Sequence, residues 1–206
     1  MQKNQRARTF IAVPVQPTRG LRKVLEKLNQ MGSAVKPIPE DQMHITLKFL
    51  GPTELEDIMP VSRALKEMRN RFKCVRLAFK GLGAFPREDR PNVVWAGIKD
   101  ESLLAEMAEY LEAETEKLGY PRERKGFHAH LTLARIKAKP PEELFQLLAD
   151  RRDAEWGEAT LDTLKFFRSE LKPQRAQYHE MQTVRLPPAP KKKNQAKSLD
   201  SNESQS

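Results

Sequence analysis

Two of the chain's four histidines, His44 and His130, begin the same four-residue pattern, His-x-Thr-Leu. Imidazole ordinarily titrates at about 6.5, so two imidazoles facing one cavity can supply a general base and a general acid near neutral pH. Thr46 and Thr132 follow their histidines by two positions, and a hydroxyl there can donate a hydrogen bond to an oxygen that gathers negative charge. This set suits a phosphodiester without a metal: one imidazole takes a proton from attacking water and the other gives one to the departing oxygen. A single His-x-Thr on the wet face of a strand usually carries no chemistry. The repetition is what gives the pattern its weight.

Strand periodicity positions these groups. Successive side chains alternate between faces, which places His44, Thr46 and Lys48 on one face and Ile45, Leu47 and Phe49 on the other. His130 and Thr132 likewise oppose Leu131 and Leu133. Lys48 is thereby expected beside the site, where it adds charge or merely solubility. Arg135 points away from the site unless a bulge or the strand's end reverses it. His128 has the parity to reach the cavity and is taken as a bystander, and His179 as a surface or partly buried histidine.

In chain order, residues 8–14 read as a strand ended by Pro14. Thr18 caps a helix carrying Leu21, Val24, Leu25 and Leu28, which stops near Gly32. Pro37 and Pro39 mark a loop into the first motif strand, and Gly51-Pro52 ends that strand. A helix opened by Thr53-Glu54-Leu55-Glu56 runs to about Phe72, with a kink or break expected at Pro60. Strands at 74–80 and 93–99 flank a long connection, Gly81 to Pro91, whose Arg87 and Arg90 either line an anionic groove or lie solvated. Residues 102–118 form an amphipathic helix ended by Gly119. A helix from Pro140 to about Arg152 and strands at 158–168 and 176–185 complete the body. Each half thus runs strand, helix, loop and His-x-Thr-Leu strand, with the histidines 86 residues apart. That spacing suits duplication of a lobe rather than a solenoid.

At 206 residues the chain fits one domain of two lobes. Its net charge is +9, and the tail from Pro187 holds four lysines against Asp200 and Glu203, which leaves the body at +7. The body is itself basic, which favours polyanionic ligands. Beyond Leu186 the composition turns to Pro, Lys, Asn, Gln and Ser, and disorder is expected there. The domain is therefore set at 1–186 and the tail at 187–206. No segment has the apolar length of a membrane span or a secretory leader, so a soluble, cytoplasmic protein is expected. The single cysteine, Cys74, is read as a small buried hydrophobe.

The paired His-x-Thr-x motifs resemble the signature of the 2H phosphoesterase superfamily and, within it, the RNA 2′,3′-cyclic phosphodiesterases, also called 2′–5′ RNA ligases. The resemblance extends over about residues 8–186, through Arg8-Thr9-Phe10-Ile11-Ala12, His44 to Gly51, Phe85-Pro86-Arg87, Pro91 to Gly97, Ser169 to Pro173 and Tyr178. Members usually carry Pro directly before the second histidine, where this chain has Ala129. The resemblance implies an α+β fold of two similar lobes, antiparallel sheets lining a central cleft with helices outside. It implies hydrolysis of RNA 2′,3′-cyclic phosphate ends to 2′-phosphates without a cofactor, with reverse 2′–5′ ligation secondary. It assigns His44 as proton donor, His130 as proton acceptor, and Thr46 and Thr132 as substrate-binding. The partner implied is RNA with a cyclic phosphate end, engaged by a monomer.

Two other classes fit parts of the sequence. His44, His128 and His130 could form a three-histidine zinc site, which leaves both threonines and the repeat unexplained. A catalytically idle RNA-end-binding module would need none of the four motif residues.

Overall fold

The computed structural model describes residues 7–172 and 176–189. Nine strands and four α-helices make up these residues, with two short 3₁₀ turns before and after the third strand. They are β1 (Ala7–Pro14), α1 (Arg19–Gln30), β2 (Val35–Pro37), β3 (His44–Thr53), α2 (Ile58–Arg71), β4 (Val75–Arg87) and β5 (Arg90–Ile98), followed by α3 (Ser102–Glu116), β6 (His130–Ile136), α4 (Glu142–Asp150), β7 (Glu155–Leu161), β8 (Thr163–Leu171) and β9 (Ala176–Arg185). The strands form two antiparallel sheets, ordered β3-β1-β8-β9 and β2-β6-β5-β4-β7.

This is the expected α+β fold of two similar lobes, and the duplication is visible in the pairing itself. Taking β3 with β6, β1 with β5, β8 with β4 and β9 with β7 superposes the order of one sheet on the other. The helices behind them are exchanged. Helix α1, which leads out of β1, packs on β2, β6 and β7 of the other sheet, while α3, which leads out of β5, packs on β3. Each lobe is thus backed by a helix whose own strand lies in its neighbour, and one apolar core runs through both. The α1 sequence suits its place: Thr18 caps it by accepting the Leu21 N–H at 3.2 Å, and Leu21, Val24, Leu25 and Leu28 form its buried face.

The segment that leads into β3 joins the two motif strands. The Ile38 N–H donates to the Leu133 carbonyl of β6 at 2.8 Å, and the Val15 N–H to the Met43 carbonyl at 3.0 Å. Strands β3 and β6 consequently approach one another at the centre of the molecule.

Several elements differ from those read in the sequence. The connection Gly81 to Pro91 is a β-hairpin: β4 and β5 pair from Phe79↔Ile98 to Arg87↔Arg90, leaving a two-residue turn at its tip. Arg87 there is paired to Asp89, and Arg90 is its partner across the ladder. Strand β3 continues through Gly51-Pro52 to Thr53, with Gly51 at φ 73° beside an irregularity in the ladder. Pro60 falls in the first turn of α2, where no intrahelical N–H is lost, so it produces no break. The strand expected at 158–168 is two strands in different sheets, divided at Asp162. Strand β2 carries no signal in its three residues. Cys74 is half-buried rather than buried, its N–H donating to the Pro187 carbonyl at 2.8 Å. The tail expected from 187 lies outside the described residues beyond 189. No helix among the described residues is long and apolar enough to cross a membrane.

Candidate active site

The two motif strands share one irregularity, and it decides which side chains reach the cleft. In β3 the register passes from Ala12↔Thr46 to Ile11↔Lys48, so that Leu47 is an extra residue. In β6 it passes from Trp95↔Thr132 to Val94↔Ala134, so that Leu133 is extra. A bulge of this kind inverts the alternation beyond it. His44 and Thr46 therefore face the cleft as expected, but Lys48 turns into the interior and Phe49 turns out, 51% exposed beneath the Arg8 guanidinium. Lys48 is 4% exposed and donates to the Glu112 carboxylate at 2.6 Å and the Pro121 carbonyl at 2.8 Å. The expectation that it shares a face with His44 is thereby corrected. The equivalent inversion in β6 brings Arg135 to the cleft side.

Both histidines are held in the same way. His44 Nδ1 lies 2.7 Å from the Gln42 carbonyl, and His130 Nδ1 lies 2.8 Å from the His128 carbonyl, each two residues upstream. A carbonyl can only accept, so each Nδ1 carries the proton and each Nε2 is left as the nitrogen free for chemistry. No protein group bonds either Nε2 among the described residues, nor the hydroxyls of Thr46 and Thr132.

Aromatic rings fix each imidazole in place. His44 lies 5.0 Å from Phe10 and 5.3 Å from Tyr178, ring centre to ring centre, with Phe167 stacked on Phe10. Across the cleft, His130 lies 5.0 Å edge-on from Phe85, with Trp95 and His128 beside it. Gly83 makes room for Trp95, because a β-carbon there would come within 2.3 Å of the indole. Cross-strand register brings these rings together: Phe10↔Phe167 and Arg8↔Ser169↔Tyr178 in one sheet, and Gly83↔Trp95↔Thr132 in the other, where Trp95 pairs with a motif residue directly.

Burial lowers the pKa of both imidazoles. For His44 the Gln42 hydrogen bond opposes the shift, while the charges of Arg135 and His130 add to it. His130 and His44 are thus close enough to sense each other's charge, and Arg135 reaches the same space. For His130 the His128 carbonyl opposes the shift, His128 adds to it, and Glu101 opposes it. Both rings are consequently neutral near pH 7 in the free protein.

A cavity of about 570 Å³ opens beside His44, lined by Gln42, Phe167, Tyr178, Lys165 and Lys172 among others. Each of its lysines already faces a carboxylate at 2.6 Å, Lys165 that of Glu180 and Lys172 that of Glu170. Arg135, close enough to His44 to act on it by charge, has no carboxylate partner among the described residues.

His128 lies against the flank of His130, with ring centres 6.3 Å apart, and its Nδ1 is 3.5 Å from Glu101. It is therefore a neighbour of the site rather than a bystander. Among the described residues no three His, Cys, Asp or Glu side chains are grouped so as to hold a metal ion. His179 sits on β9 against Glu170, part-exposed as expected. Sequence reasoning passed over Glu101 and the aromatic rings, because only the strand pairing brings them to the histidines.

Two antiparallel lobes that present paired His-x-Thr strands to one cleft define a 2H phosphoesterase. The chain belongs to the LigT-like phosphoesterase family, whose model it matches over residues 11–95 and 97–178. It is 37% identical over 137 residues to an RNA 2′,3′-cyclic phosphodiesterase of Archaeoglobus fulgidus, covering 66% of this chain and 76% of that one. With the protein of the same name from Aeropyrum pernix it shares 31% identity over 167 residues, 80% of this chain and 94% of that one. Among solved structures, TT0787 of Thermus thermophilus is similar with a TM-score of 0.75 at 29% identity, covering 88% of this chain and 98% of that one. The E. coli LigT complex with 3′-AMP shares the fold with a TM-score of 0.64 at 20% identity, over 88% and 99% of the two chains.

Proposed function

We propose that this protein hydrolyses RNA 2′,3′-cyclic phosphate ends to 2′-phosphates by two-histidine acid–base catalysis, within the unit formed by residues 1–186. The observation that carries the reading is the repeated clamp on Nδ1, which prepares two Nε2 atoms for proton transfer from opposite strands of one cleft. Two relatives named RNA 2′,3′-cyclic phosphodiesterase support the substrate class.

In this mechanism His130 Nε2 takes a proton from water as the water oxygen bonds to phosphorus. The P–O3′ bond breaks in line with it, and His44 Nε2 gives its proton to the departing O3′. The hydroxyls of Thr46 and Thr132 donate to the two non-bridging oxygens, and Arg135 opposes the charge that gathers there. His44 must be protonated to act as the acid, and its pKa is lowered in the free protein. The bound phosphate anion between the histidines raises it again, so substrate binding and readiness of the acid are coupled. Run forward with a 5′-hydroxyl of RNA in place of water as the nucleophile, the same steps break P–O3′ and join two ends through a 2′–5′ linkage; water's excess makes this secondary. All four motif residues come from one chain, so a monomer suffices.

The test is incubation with an oligonucleotide ending in a 2′,3′-cyclic phosphate, followed by phosphorus NMR. A 2′-phosphomonoester is the expected product. A 3′-phosphate overturns the assignment of the broken bond, and no conversion overturns the function.

A further inference from the structure

The two histidines are held by equivalent carbonyls, yet the peptide units that supply those carbonyls end differently. The His128–Ala129 amide accepts from His130 Nδ1 through its oxygen at 2.8 Å, while its N–H donates to Glu101 Oε2 at 2.7 Å. In a trans amide these two groups point in opposite directions, so a carboxylate and an imidazole sit at the two ends of one peptide dipole. The counterpart on the other lobe is the Gln42–Met43 amide. It accepts from His44 Nδ1 at 2.7 Å, but its N–H meets only the backbone carbonyl of Glu40, at 3.3 Å.

We propose that Glu101 is a positioning residue for His130, acting through the His128–Ala129 peptide unit to hold its ring and strengthen it as a base. This rests on the two-histidine reading above. Linked hydrogen bonds polarise one another. A carboxylate drawing on the Ala129 N–H places more negative charge on the His128 oxygen, which then holds a cationic imidazole more strongly than a neutral one. The arrangement does the work of the carboxylate that orients and stabilises a catalytic histidine in hydrolases, with one amide interposed.

Other features of Glu101 fit this role. It stands at the head of α3, where a side chain commonly caps the helix, but its carboxylate makes no cap. Asp100 accepts the Ser102 N–H instead, at 3.0 Å. Ala129 is 1% exposed, and its buried N–H needs a partner; a proline at this position has no N–H to give. The other charged and titratable groups around His130 are His128, His44 across the cleft and Arg135 on the same strand. A protonated His128 or His44 opposes protonation of His130, and Glu101 is the group that favours it.

The experiment is an NMR titration of the His130 ring in full-length protein with His128→Gln as the common background, compared with Glu101→Gln, Glu101→Ala and Ala129→Pro. Glu101→Gln keeps an acceptor for the Ala129 N–H and removes the charge; Ala129→Pro keeps the charge and removes the N–H. In each variant the His130 midpoint is expected to move to lower pH, while that of His44, relieved of a neighbouring charge, does not fall. In turnover, whichever limb of the kcat/KM profile His130 sets is expected to move downward in pH with its ring, with kcat reduced and KM little changed. An unmoved His130 midpoint in Glu101→Gln overturns the proposal, and movement in the Glu101 variants but not in Ala129→Pro overturns the route through the amide. If His130→Ala keeps full turnover, the two-histidine reading fails instead, and the titration still reports whether Glu101 governs the His130 ring.

Discussion

Lys48 and Glu112 meet at 2.6 Å with side chains only 3% and 13% exposed, joining β3 of one lobe to the helix that follows β5 in the other. The ion pair lies directly behind the strand that presents His44 and Thr46. Removing one partner of a buried pair leaves the other charge without compensation, at a cost of about 3–5 kcal/mol. Lys48→Met is therefore expected to lower stability by about 3 kcal/mol, read as a fall in the urea midpoint. Lys48→Met combined with Glu112→Leu is expected to recover much of that loss, and a double variant as unstable as the single one contradicts this account.

The lowered pKa values of His44 and His130 make stability depend on pH. The ordinary value is 6.5, so between that value and the lowered ones the unfolded chain binds more protons than the folded protein. Their contribution is thus fully present above the unfolded pKa and is lost as the pH falls through the folded values. The urea midpoint is expected to fall from pH 8 to pH 5, and to fall less in a His44→Gln, His130→Gln double variant. Equal slopes in the two proteins would show that these rings do not report on folding.

Arg135 offers a charge to the cleft and lowers the pKa of His44. Hydrogen bonds to charged groups contribute about 1.5–3 kcal/mol, so Arg135→Gln is expected to weaken binding of inorganic phosphate roughly 10- to 100-fold. The His44 midpoint should rise at the same time, because a positive neighbour has been removed. Isothermal titration and histidine NMR measure the two effects. A weakened affinity with no change in His44 would place Arg135 at the anion but away from the imidazole.

The part of the site legible in the sequence is the part fixed by local periodicity. His44 and Thr46, and His130 and Thr132, precede the bulges, and two-residue alternation places them correctly. Lys48, Phe49 and Arg135 follow the bulges and are inverted. Nothing in Thr46-Leu47-Lys48 marks an extra residue, because a bulge is a relation between two strands. The hairpin from Val75 to Ile98 was hidden in a similar way: its glycines and prolines read as punctuation, yet they sit within ladder pairing. Phe10, Phe85, Trp95, Phe167 and Tyr178 reach the histidines only through register, which local pattern does not carry. Glu101 needed still more, since its partner Ala129 is 28 residues away.

The acid and the base can be told apart with a substrate whose leaving group needs no proton. A nitrophenyl phosphodiester departs as a stable anion, so it is expected to rescue His44→Ala in part and His130→Ala hardly at all. Rescue of His130→Ala alone would reverse the two roles.

The most direct measurement is the single-turnover rate on an oligonucleotide ending in a 2′,3′-cyclic phosphate, for the wild type, His44→Ala, His130→Ala and the double variant. General acid and general base catalysis each contribute about 10²–10⁴-fold, so each single variant is expected to fall by at least about a hundredfold with its fold intact. The double variant should fall by less than the product of the two, because both groups serve one concerted step. Wild-type turnover in either single variant would contradict the two-histidine account.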